Sequence, residues 1–325
     1  MPRNHETTKH GFRLDELRLE EIVLKIYDAI KNNRGIFQDG YQHFLPQWNL
    51  PLELEYSPQK RKLRNPEQAA RFLWVRTFCD RLSISRHLIE TALATWHNSE
   101  VNWIYDPFEV RNRSEEEIGN VLRNHLHFGL NNEHKEQTNG WRFSLNAFQL
   151  VNEYDGDPRN IIQYNNVDQS RKNLMEFQGI GTGLANLFII QMYDREITIS
   201  LDPENAMLKV DRHKAGIAVY TGAIKPVNAE IEQNLTVPIL EDAYKKIALK
   251  HRLDIRVLDA ALWITGSEVC TRKDYFACLT DCPLVKDYCI SRGQLDGRTG
   301  RYTVFDKGGN RIETRRGVKQ DLLFH

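Results

Sequence analysis

Apolar residues recur along most of this chain at helical spacing. In "RLDELRLEEIVLKIYDAIKNN", Leu14, Leu17, Ile22, Ile26 and Ile30 share one face, and Gly35 follows. That pattern predicts a helix with a glycine stop. In "NPEQAARFLWVRTFCDRL", Asn65 suits a cap and Pro66 suits the first turn. Helices are also predicted over "ISRHLIETALATWH", "SEEEIGNVLRNHLHF", "FSLNAFQLVNEY", "DQSRKNLMEF", "PILEDAYKKIALKH" and "IRVLDAALWITG". "NEHKEQTNGWR" reads as a polar loop, the first dozen residues as a flexible arm, and the proline-broken "FLPQWNLPLELEYSPQKRKLRNP" as a connection. Strand signals are few. "REITISLDPENAMLKV" suits a short strand or hairpin, and "YTVFDKGGNRIET" suits a hairpin around Gly308 and Gly309. The expected class is mostly α, with small β additions near a central insertion and the C-terminus.

Composition narrows the function classes. The chain has 325 residues, 41% of them hydrophobic, which suffices for a substantial core. Its 44 basic and 44 acidic residues cancel, so a nucleic-acid surface must be a local patch. The sequence lacks the roughly 18-residue apolar run of a membrane span. The start, "MPRNHETTKHGFRLDEL", lacks the apolar segment of a signal peptide. A cytoplasmic, nucleoid-associated location is expected, with no membrane partner. Reducing conditions there disfavour structural disulfides.

One stretch departs from simple periodicity. "LMEFQGIGTGLANLFIIQM" places Gly179, Ile180, Gly181, Thr182 and Gly183 between two apolar helices. Glycines permit turns and close approaches that a side chain would block. The N–H groups opening the second helix are unpaired and carry the positive end of its dipole, which suits a phosphate. Ile180 would tuck inward and fix the turn. The same stretch also suits a plain packing corner. Downstream, "LKVDRHKAGIAVYTG" sets Asp211 before Arg212, His213 and Lys214. Near the C-terminus, Cys270, Cys278, Cys282 and Cys289 are four of the five cysteines, separated by seven, three and six residues. Four thiolates suit a metal, and Cys79, among apolar neighbours, reads as a buried thiol.

Taken in order, these three stretches resemble the endonuclease III family of helix-hairpin-helix (HhH-GPD) DNA glycosylases, which carry an iron–sulfur cluster. "LMEFQGIGTGLANL" resembles the family hairpin. "VDRH" resembles the element holding the catalytic aspartate. "ALWITGSEVC" resembles the helix that delivers the first cluster cysteine. The resemblance runs from about residue 170 to 290, leaving the first 65 and last 33 residues without a counterpart.

The chain departs from the family in three places. Each cysteine interval is longer by one residue. The position that holds a Schiff-base lysine in bifunctional members is Gly183, so a monofunctional enzyme without lyase activity is expected, unless Lys209 or Lys214 substitutes. The link from hairpin to aspartate is also longer, through "DREITISLDPENAMLK".

The resemblance implies a two-lobed HhH-GPD fold with a central cleft. Residues 1–65 would form an extension packing on the C-terminal lobe. Residues 66–191 would form a helical barrel lobe ending in the hairpin, and 192–325 a lobe with the catalytic aspartate, the cluster and an Arg/Gly-rich tail. It implies a DNA glycosylase acting on a flipped damaged or modified base, with a hypermodified phage base among the substrates considered. Asp211 would be the catalytic carboxylate. Gly179, Ile180, Gly181, Thr182, Gly183, His213, Lys214, Arg272 and Lys273 would contact DNA. Cys270, Cys278, Cys282 and Cys289 would hold a [4Fe-4S] cluster, with zinc as the alternative. The expected partner is double-stranded DNA, bound by a monomer. Two rival readings are a non-catalytic DNA-binding module and an N-glycosidase acting on nucleosides or RNA.

Overall fold

The computed structural model describes residues 12–40, 50–57, 62–80, 85–128, 136–163, 166–195, 197, 206–226, 233–270, 278, 280–284, 289, 291–295, 302–306 and 323–324. The chain forms two compact units. Unit 1 joins Met1–Phe44 to Val210–His325, and unit 2 is Leu45–Lys209. The divisions thus fall after Phe44 and after Lys209. A buried ion pair from Arg195 to Glu55 ties residues 50–57 into unit 2, and an ion pair from Lys209 to Asp80 ties in the segment before Val210.

Unit 1 opens with β1 (Phe12–Leu14) and α1 (Glu16–Lys31), capped by the Asp15 side chain. Unit 2 begins with the short antiparallel pair β2 (Glu55–Ser57) and β3 (Lys62–Leu63), inside the stretch expected to be only a connection. α2 (Pro66–Cys79) starts as its sequence predicts, with the Asn65 side chain accepting from the Gln68 N–H. α3 (Ser85–His97), α4 (Pro107–Val110) and α5 (Glu115–Asn124) follow. α5 opens with a reciprocal Ser114–Glu117 capping box and stops short of the expected Phe128.

The next helix, α6 (Glu136–Tyr154), absorbs most of the segment expected as a polar loop. It lies against α5 so closely that a Cβ on Gly140 would fall 1.9 Å from the Glu115 carbonyl oxygen. Packing that only glycine permits thus overrides the polar composition. α7 (Val167–Met175) and α8 (Thr182–Asp194) complete the unit. One apolar core serves it, including Phe72, Trp74, Phe78, Leu122, Phe177 and Phe188.

The chain then returns to unit 1 through α9 (Arg212–Tyr220), β4 (Ile224–Pro226), α10 (Gln233–His251) and α11 (Ile255–Ile264). β4 pairs antiparallel with β1, Leu14 opposite Ile224. α1 packs on α10 and α11, and α9 on the same two helices. α11 runs straight into a π-helical turn, Thr265–Cys270. β5 (Ser291–Leu295), β6 (Tyr302–Asp306) and β7 (Leu323–Phe324) form a small antiparallel sheet in that order. β6 is the strand expected in "YTVFDKGGNRIET", but its described partners are β5 and β7. The Gly308–Gly309 turn lies outside the described residues, as does most of the strand expected in "REITISLDPENAMLKV". Residues 206–210 of that stretch form no regular secondary structure. The fold is mostly α with small β additions, and among the described residues no helix is long and apolar enough to cross a membrane.

Candidate active site

The hairpin is built in unit 2 from α7, a glycine turn and α8. Gly179 takes φ +81°, the left-handed region that a Cβ disfavours. Ile180 is buried, 4% exposed, and its N–H donates to the Phe177 carbonyl, so it fixes the turn from inside. Gly181 caps α8 in extended geometry with no side-chain cap, and a Cβ there would meet nothing within 4 Å. The start of α8 therefore offers backbone N–H groups that no side chain caps, behind an unobstructed approach.

Sequence reasoning missed what holds this turn. Asn146 of α6, 1% exposed, donates through Nδ2 to the Gln178 carbonyl at 3.0 Å and accepts through Oδ1 from the Gln178 N–H at 2.7 Å. Its signal was a polar residue on a stripe of Phe143, Ala147 and Leu150, all buried. Asn186 of α8 is likewise buried. It accepts from Arg171 of α7 at 2.8 Å and donates to the Leu208 carbonyl at 3.3 Å. The two hairpin helices are thereby joined to each other and to the segment that precedes Asp211.

Lys209 lies beside the hairpin. A Cβ on Gly183 would contact its Cγ at 3.7 Å, while its ammonium pairs with Asp80. Trp74, Phe78 and Tyr105 belong to the buried core of unit 2. Trp74 packs edge-on against Phe177 and Phe188, Phe78 packs on Phe128 and Phe143, and the Tyr105 hydroxyl donates to the Ala92 carbonyl. Trp103 is only partly buried, with the Arg113 guanidinium over its ring at 4.9 Å.

Asp211 belongs to unit 1, where it caps α9. Its Oδ1 accepts from the N–H groups of His213 at 2.9 Å and Lys214 at 3.1 Å. The carboxylate is half-buried, over the positive end of the helix. His213 packs its ring edge-on toward Trp263, with centroids 6.1 Å apart. Burial holds the imidazole below its ordinary value. Asp211 and the Gly266 backbone oppose that shift, although Nδ1 itself closes no hydrogen bond of normal length.

Lys214 departs from expectation. Its side chain is 1% exposed and its Nζ lies 2.6 Å from Asp259 Oδ1 on α11, so it does not present its charge to a phosphate in solvent. The Tyr244 hydroxyl of α10 donates to the Lys214 carbonyl at 3.1 Å. Tyr244, Asp259 and Gly266 all bear on the turn that Asp211 caps, and no local sequence signal marks them. Arg272 and Lys273 lie outside the described residues.

All four C-terminal cysteines, and Cys79, are free thiols. Cys270 ends the π turn, and its thiol sits deep enough that burial pushes it well up, with Cys289, Cys282 and Cys278 adding to the shift. Burial likewise pushes Cys282 up to about 12, with Cys289 and Cys278 again contributing. For these two thiols the neighbouring cysteines add to the cost of ionisation, which a bound cation would offset. Four thiols are, by chemistry alone, the donor set that zinc or an iron–sulfur cluster takes. Among the described residues no three or more His, Cys, Asp or Glu side chains stand at ligating positions. The segment leading to Cys282 is braced by backbone contacts. The Ile36 N–H donates to the Asp281 carbonyl at 2.8 Å, and Gly35, at φ +60°, lets the two backbones meet.

No family model and no curated protein matches the chain. Among solved structures, it is similar to a thermostable thymine-DNA glycosylase, at 11% identity and a TM-score of 0.47 over 79% of this chain and 90% of that one. It is also similar to endonuclease III trapped as a covalent intermediate with DNA, at 11% identity and 0.47 over 80% and 90%. A non-covalent endonuclease III–DNA complex gives 13% and 0.46 over the same shares.

Proposed function

We propose that this protein is a monofunctional DNA N-glycosylase that releases a damaged or modified base flipped out of double-stranded DNA. The observation that carries the reading is Asp211, a half-buried carboxylate oriented by two backbone N–H groups at the start of a helix. As the C1′–N bond breaks, positive charge develops on the sugar, and a fixed carboxylate beside C1′ stabilises it. Water attacks C1′, Asp211 takes the water proton, and the base departs with the bonding pair and is then protonated. The hairpin supports a grip on the backbone, with a phosphate at the uncapped start of α8.

Hydrolysis is favoured over imine chemistry by the state of the amines. Gly183 has none, the Lys214 ammonium is enclosed with Asp259, and the Lys209 ammonium pairs with Asp80. Cys270, Cys278, Cys282 and Cys289 would hold the metal, a [4Fe-4S] cluster rather than zinc. Bound there, the group ties the loop together and takes no part in base release. Iron and zinc analysis of purified protein distinguishes the two.

The test is a duplex panel of damaged and modified bases, scored after alkaline cleavage. Asp211→Asn retains a capping side chain and should fold and bind as before, yet release no base. Turnover by that variant removes Asp211 from the reaction. Borohydride should trap no covalent complex. The capping role alone also accounts for an aspartate here, which favours a second reading as a non-catalytic DNA-binding module. Tight duplex binding with no base release across the panel establishes that reading instead.

A further inference from the structure

We propose that the buried pair Lys214–Asp259 is a positioning device for the Asp211 carboxylate, an inference that rests on Asp211 being the reacting group. The two side chains are 1% and 2% exposed, with 2.6 Å between Nζ and Oδ1. Removing two ions from water is costly, and a well-packed apolar pair of the same volume commonly stabilises a fold as well or better. Stability is therefore a poor account of the pair.

Its connections supply a better one. Lys214 is held at three points. Its N–H donates to Asp211 Oδ1 at 3.1 Å, its carbonyl accepts from the Tyr244 hydroxyl at 3.1 Å, and its ammonium bonds Asp259. Asp259 lies on α11 and Tyr244 on α10, so the first turn of α9 is fixed to two helices at a residue whose N–H Asp211 caps. A third restraint comes from Gly266, where a Cβ would fall 2.6 Å from the His213 carbonyl oxygen. Asp211 Oδ1 accepts N–H bonds from two residues of this one turn, His213 and Lys214. Any rotation of the turn moves both donors together and swings the carboxylate. Lys214 and Asp259 do not touch substrate in this account. They set the direction in which Asp211 points.

The test is the double variant Lys214→Met/Asp259→Leu, which removes both charges and keeps the volume. It is read by amide hydrogen exchange, by affinity for a duplex with an abasic-site analogue, and by single-turnover base release. The expected result is a melting temperature at or above that of the parent and unchanged duplex affinity. The His213 and Lys214 amides should exchange faster while the rest of α9 stays protected. Base release should fall on the order of 100-fold, the scale of a small misplacement at a reacting centre.

Unchanged exchange at those two amides overturns the proposal, and so does accelerated exchange with base release at the parent rate. If the parent releases no base from any duplex but the exchange responds, the positioning stands and the glycosylase reading falls. Should the double variant fail to fold, Tyr244→Phe removes only the hydroxyl on the Lys214 carbonyl. The same exchange and release readouts then decide, with smaller changes expected.

Discussion

Asn146 closes both hydrogen bonds of its amide on the backbone of Gln178, donating at 3.0 Å and accepting at 2.7 Å. The turn that would receive a phosphate is thus held by a buried side chain from a different helix. Asn146→Leu should strand both backbone groups, at a cost of about 1–3 kcal/mol. Duplex affinity should fall with stability, because the same contact sets the turn. Urea denaturation and gel-shift titration check the two halves, and unchanged stability would show that water replaces the amide.

Gly179 and Gly181 differ in what they would lose. Gly179 sits at φ +81°, so Gly179→Ala should destabilise the fold by about 1–2 kcal/mol. Gly181 has extended geometry at φ −96° and open space around its missing Cβ. Gly181→Ala should leave stability within about 0.5 kcal/mol. It should still weaken duplex binding, because the methyl stands where a phosphate must approach α8. A parallel loss in both variants, or none at Gly181, would place the DNA backbone elsewhere.

His213 should make stability depend on pH. Burial holds the folded imidazole below its ordinary 6.5, so the unfolded chain takes up the proton first as pH falls. Its contribution is complete above about pH 6.5 and is lost progressively below it, toward the folded pKa. Unfolding free energies measured at stepped pH should fall on this limb for the parent and fall less for His213→Gln. Identical slopes would show that the ring takes up its proton at the same pH in the folded and unfolded chain.

Local signals were readable in the sequence and distant partners were not. The hairpin shows in glycine spacing between apolar helices, and the Asn65–Pro66 helix start shows in two adjacent residues. Lys214 misled because a lysine beside Arg212 and His213 reads as a solvated base. Its partner Asp259 is 45 residues away and appears only when α9 and α11 meet. Asn146 and Gln178 are 32 residues apart, with nothing in either segment to announce the other. The polar run before Trp141 misled for a different reason. Gly140, which looks like a loop residue, is the point at which α6 can approach α5.

Gly266 offers the sharpest test of how the cysteine-bearing turn relates to Asp211. The π turn Thr265–Cys270 lies along α9, with Gly266 against the His213 backbone, and Cys270 adds to the upward push that burial gives the Tyr220 phenol. A methyl at Gly266 would fall 2.6 Å from the His213 oxygen and 2.7 Å from its carbonyl carbon, and backbone cannot rotate away as a side chain would. Either the first turn of α9 must move, taking the Asp211 cap with it, or the π turn must move, taking Cys270. Gly266→Ala should therefore destabilise the protein by about 1–3 kcal/mol, the usual scale of overpacking. It should also lower base release or metal content according to which side yields. Denaturation, metal analysis and single-turnover release on one preparation separate these outcomes. Parent values in all three would mean that the two backbones have more room than this packing allows.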